Sequence, residues 1–167
     1  MEHAIQEIEQ LCQEKLLLFQ EILAIFQNEK KSIIGADIGS LWIHTRKKQE
    51  IADKIHEIRD RIMAIALDAE ILVQEDTRAY SLLKIISALP NSEKSTLVHV
   101  RFALNGVKNM ITALAHENRK YLEESMKTVE DLVQIIIRNS NRDERYGRDR
   151  YMRHSLAKRP NLILGEV

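Results

Sequence analysis

The stretch Ile51-Ala52-Asp53-Lys54-Ile55-His56-Glu57-Ile58-Arg59-Asp60-Arg61-Ile62-Met63-Ala64-Ile65 decides the fold. Isoleucine returns at steps of four and three, which places all five on one face of an α-helix. The residues between them are mostly charged and suit a solvated opposite face. A strand would need alternation at a period of two, and this segment has none. The reading predicts a long amphipathic helix, from Ser40 as N-cap to about Leu72, with a seam that must be covered by other helices.

Working outward, the segment from Ala4 to Ile34 carries Ile5, Ile8, Cys12, Phe19, Ile22, Phe26 and Ile33 at the same kind of spacing. Lys30 and Lys31 stand in its last turn, where cations oppose the negative end of the helix dipole, and Gly35 is expected to be a left-handed cap. The short break at residues 35–39 predicts that the two helices fold back antiparallel. A third, short helix is expected over residues 77–88, apolar nearly all round at Tyr80, Leu82, Leu83, Ile85 and Ile86. Pro90-Asn91-Ser92 then introduces a last long helix over residues 93–138.

That last helix opens with the stripe Leu97, Val100, Leu104, Val107, Ile111 and Leu114, which leads in register to Asn118. Beyond it the same repeat selects Tyr121, Ser125, Thr128, Leu132 and Ile135. A shift of one position selects Leu122, Met126, Val129, Val133 and Ile136 instead, so the apolar face walks around the helix. Asn118 at a core position reads as a register-fixing group, with a ligand contact as the alternative. Trp42 reads as half-buried packing. Gly106, inside the helix, marks either close approach of another helix or a tolerated weak point.

Composition agrees. Five Gly and two Pro in 167 residues compare with about twenty such residues at average usage, which excludes a many-stranded sheet with tight turns. The fold expected is all-α: an elongated antiparallel bundle of three long helices and one short one (residues 1–138), followed by a flexible, weakly ordered tail (139–167). The tail holds seven Arg or Lys against four Asp or Glu, a mild basic excess within a chain of zero formal net charge.

Chemistry is sparse. The six histidines show no HxxxH or HExxH spacing, and Asp53 with His56 is one half of a di-metal bundle motif without its second copy. Cys12 shares the apolar face with Ile8, so it reads as core rather than nucleophile, and it fits a reducing compartment. No glycine-rich phosphate loop is present. The expectation is a non-enzyme with no cofactor and no metal. The balanced charge argues against nucleic acid, although the tail run from Arg142 to Tyr151 keeps a helical nucleic-acid-binding or adaptor protein as the alternative. Glu2 and His3 after Met1 do not open a signal peptide, and charges break every apolar run before about 18 residues. A cytoplasmic protein without membrane insertion is expected.

Residues 16–66 also resemble a known family. A Leu-rich helix with Glu21 is followed by Gln27-Asn28-Glu29-Lys30, Asp37, Leu41, Lys47-Lys48-Gln49 and Arg59, and later by Asn118-Arg119, Leu122, Leu132-Val133 and a polar tail with a Tyr. This pattern resembles the FlgN-like flagellar export chaperones and spans most of residues 5–146. The resemblance implies a chaperone that holds the C-terminal amphipathic helix of hook-associated junction proteins, prevents premature assembly and delivers them to the flagellar type III export gate. It maps client binding onto Leu122, Met126, Val129, Val133 and Ile136. It maps gate docking onto Tyr146, with Tyr151 as the other candidate. A homodimer is the candidate state of the chaperone without client.

Overall fold

Two helices with matching three-four repeats bury both stripes by folding back on each other, and the computed structural model of the chain shows this arrangement. It describes residues 2–71, 81–90 and 94–155, and for residues 139–155 the backbone alone. Four helices are present among the described residues, with no strand: α1 (Glu2–Ile34), α2 (Ile38–Asp68), α3 (Leu82–Ala88) and α4 (Ser95–Ser155). The chain divides into two compact units, Met1–Leu122 and Glu123–Val167.

In the first unit α1 and α2 run antiparallel, and the N-terminal part of α4 runs alongside α1. Ile5, Ile8, Leu11 and Cys12 of α1 meet Ile58, Ile62 and Ala66 of α2 and Leu97, Val100 and Leu104 of α4 in one cluster, closed by Leu82, Ile85, Ile86 and Leu89 at α3. A second cluster joins Ile22, Ile25 and Ile51, with Ile111 of α4 against it. Ile51, Ile58 and Ile62 are buried as their spacing demands, and Ile55 and Ile65 are partly buried. The short helix α3 is covered on one side only, since Leu83 is exposed.

The helix ends differ from expectation. Asp37, not Ser40, caps α2: its carboxylate accepts from the Ser40 N–H at 3.0 Å and from the Ser40 hydroxyl at 2.6 Å. The helix starts earlier because Asp37 offers a carboxylate to the free N–H groups of the first turn. Those hydrogen bonds hold the Asp37 carboxyl below its ordinary range, the hydroxyl contact contributing most. Gly35 is not left-handed. Ala36 takes that conformation, with φ 52°, and Asp37 N–H donates to Ser32 O at 2.9 Å while Ala36 N–H donates to Ile33 O at 3.1 Å. This is a Schellman closure with alanine where glycine is usual. α2 ends the same way at Glu70 (φ 55°), with Ile71 N–H donating to Ala66 O at 2.9 Å and Ile71 itself buried. It therefore stops at Asp68 rather than near Leu72.

The third helix begins at Leu82, and residues 77–80 of the expected span lie outside the described residues. So do residues 91 and 92, expected to cap the last helix. α4 begins at Ser95 and continues to Ser155, past Arg138 where the sequence reading ended it. Residues 139–155 lack proline and are rich in Arg, and the lone Gly147 costs only about 1 kcal/mol, too little to stop a helix by itself. The expected tail residues 156–167 lie outside the described residues. Gly106 has nothing of the chain within 4 Å of where a Cβ would stand, so no close approach within the described structure explains it.

Candidate functional site

A polar layer crosses the first unit, one turn before the buried Ile33 of α1. On α1 the repeat 5-8-12-15-19-22-26-29-33 passes through Lys15 and Glu29, on α2 the repeat 48-51-55-58 begins at Lys48, and on α4 the stripe reaches Asn118. Three of these four meet. Lys48 Nζ lies 2.6 Å from Glu29 Oε1, and Asn118 Nδ2 donates to Glu29 Oε2 at 3.2 Å and to the Phe26 carbonyl at 2.9 Å. Lys48 also sits 4.5 Å above the Phe26 ring. Beside this layer Lys30 pairs with Glu117 at 2.7 Å and lies over the Tyr121 ring. Asn118 thus ties α4 to α1, as a register-fixing group would. Its Oδ1 is buried without a hydrogen-bond partner.

Past that layer the core positions of α4 turn polar, at Ser125 and Thr128, and the apolar residues shift sideways. In the second unit Met126 is 63% exposed, Val129 59%, Val133 47% and Ile136 65%, while Leu122 closes the first unit at 38%. Leu132, Ile135 and Ile137 are exposed as well. At about 100° per residue, Leu122, Met126, Val129, Val133 and Ile136 fall within an arc of about 80° on α4. Lys127, Asp131 and Arg138 lie on the other side, with Glu123 and Glu130 at one edge. A helix that is polar behind and apolar in front, with the apolar side chains in solvent, can bind another apolar helical face. Met126, Val129, Val133 and Ile136 therefore share one exposed stripe in the second unit, and Leu122 is the last residue of the first. Tyr146 and Tyr151 fall inside α4 rather than after it.

A second group of exposed apolar residues stands at the α1–α2 turn: Ile34, Ile38, Trp42 and Ile43. Trp42 is 72% exposed, not half-buried, and with Ile43, Thr45, Arg46, Lys47 and Glu50 it lines a shallow groove of about 580 Å³. It sits in the second turn of α2, ahead of the Lys48 layer at which the packed seam begins.

Among the described residues no three His, Cys, Asp or Glu stand close enough to hold a metal ion. Cys12 is buried in the core, and burial pushes its thiol up to about 11, away from thiolate chemistry. Lys15, 5% exposed, is pushed down to about 8, chiefly by burial and then by the nearby Lys108 charge. No helix among the described residues is long and apolar enough to cross a membrane. Sequence reading passed over Lys15 and Glu29 as buried groups, although their places in the repeat were the signal.

Against known proteins, the chain matches the family described as FlgN protein over residues 1–154. No curated protein and no solved structure gives a match. With the family match running through all four helices, the chain belongs to the FlgN family of flagellar export chaperones.

Proposed function

We propose that this chaperone holds an amphipathic helix of a hook-associated junction protein along the stripe Leu122, Met126, Val129, Val133 and Ile136. The observation that carries the reading is the exposure of that whole row on a helix whose other side is charged. A free client helix with an apolar face would self-associate. Covering it returns about 25 cal/mol per Å² of apolar surface, and the ordering of both helices offsets enough of this to leave release feasible. Glu123 and Glu130, at one edge of the stripe, favour a client helix with a basic flank.

In this reading the protein works in the cytoplasm without catalysis and without a cofactor or metal. It keeps the client from assembling early and presents it to the type III export gate, where Tyr146 makes the docking contact. Hydrogen exchange on the chaperone with and without the C-terminal segment of a hook-associated protein tests the site. Slowed exchange across residues 122–137 is expected. Slowing confined to the α1–α2 turn around Trp42 would move the client site there.

A further inference from the structure

The outer face of α4 inside the first unit is unusual for a solvated helix. Phe102 is 81% exposed, and Val98 and Met110 are exposed to either side of it. Taking Phe102 as the centre, the positions within about 60° of it between Ser95 and His116 are all exposed, and none is Asp, Glu, Lys or Arg. Charged residues make up 30% of the chain, so a solvated face of that length would ordinarily carry several. On the same face, one turn after Phe102, stands Gly106 with open space around its missing Cβ. Glycine in a helix interior is costly, and nothing within the described chain repays it.

We propose that this face pairs antiparallel with the same face of a second copy of the chain, with each Phe102 seated in the notch over the other Gly106. The occupant follows from self-complementarity. A two-fold axis at the height of Leu104, whose own side chain is buried on the opposite side, matches Phe102 with Gly106 and Val98 with Met110. The row 98-102-106-110 is an i±4 ridge with one side chain missing, and a ridge with a gap packs against its own copy at the crossing common for globular helices. An uncharged face meets its copy without like-charge repulsion, whereas a charged partner would lose solvation there and find no counter-charge. The surface lies before Asn118 and is distinct from the stripe at residues 122–137, so the pairing does not depend on the client reading.

Sedimentation velocity on the full chain over a concentration series tests the pairing. A monomer–dimer equilibrium is expected, with Phe102→Glu and Gly106→Leu each weakening the dimer by at least about tenfold while circular dichroism is unchanged. Gly106→Ala is expected to raise the thermal midpoint of the monomer and still weaken the dimer, an opposition that a mere weak point in the helix would not produce. Geometry is read in a Cys12→Ala background: Val98→Cys chains should crosslink to Met110→Cys chains and not to themselves. A monomer at every concentration overturns the proposal. So does a dimer lost on Val129→Asp but kept on Phe102→Glu, or crosslinking of Val98→Cys to itself.

Discussion

Asn118 on α4 donates to Glu29 on α1 across 3.2 Å, and each stands where the three-four repeat of its own helix points into the core. With Lys48 they form a polar layer across α1, α2 and α4. A slip of either helix by one repeat would set Asn118 or Glu29 against isoleucine with nothing to bond. The layer thereby fixes the register in which α4 packs on α1.

Removing one member should cost more than removing all three. Lys48→Met leaves the Glu29 carboxylate buried without its cation and should lower unfolding stability by about 1–3 kcal/mol. Replacing Glu29, Lys48 and Asn118 together by Leu, Met and Leu should recover that loss or exceed it, at the expense of a single register. Urea denaturation of both proteins checks the order.

Two alanine- and glutamate-bearing helix ends should accept glycine. Ala36 and Glu70 occupy left-handed backbone, which costs a residue with a Cβ roughly 1–2 kcal/mol, while glycine adds back about 0.4–1 kcal/mol through the freedom of the unfolded chain. Relief is the larger quantity. Ala36→Gly and Glu70→Gly should each stabilise by roughly 0.5 kcal/mol, read as a rise in denaturation midpoint with unchanged slope.

Stability should carry two opposed alkaline titrations. Lys15 is pushed down to about 8 from 10.5, so below pH 8 the fold bears a buried cation. As pH rises from about 8 to 10.5 the fold sheds that proton before the unfolded chain does, and stability from this group increases. Cys12 works the other way. It is pushed up to about 11 from 9.0, so its contribution is full below pH 9 and is lost as pH climbs towards 11. Lys15 faces Lys108 of α4, Arg59 of α2 and Cys12 of its own helix. Lys15→Met should therefore raise the thermal midpoint at pH 7, with the gap over the native protein narrowing towards pH 10.

The helices were legible because the isoleucine spacing in α2 and the stripes of α1 and α4 are local, and local periodicity survives without knowledge of the partner. The polar layer was half legible. Asn118 stood out as polar on an apolar stripe, while Lys15 and Glu29 were passed over because charged residues are ordinarily assigned to solvent. Only the pairing of three helices shows that Glu29 has Lys48 and Asn118 to hold it. The left-handed cap moved from Gly35 to Ala36 because closure is set by which carbonyls the next N–H groups can reach, not by the nearest glycine. The shifted stripe from Leu122 to Ile136 was visible in sequence as a change of register. Its exposure was not.

The stripe variants test the central claim most directly. Val129→Asp and Ile136→Asp each place a carboxylate where the client's apolar face would lie, and desolvating it costs several kcal/mol, enough to remove binding. Titration calorimetry of a hook-associated protein's C-terminal segment into native and variant chains, with thermal melts of each, is the measurement. The account predicts that binding disappears in both variants while the helical melting transition stays within a few degrees of the native one. Binding that survives the substitutions, or a melt that collapses with them, would contradict it by making the stripe either irrelevant to the client or part of the chaperone's own core.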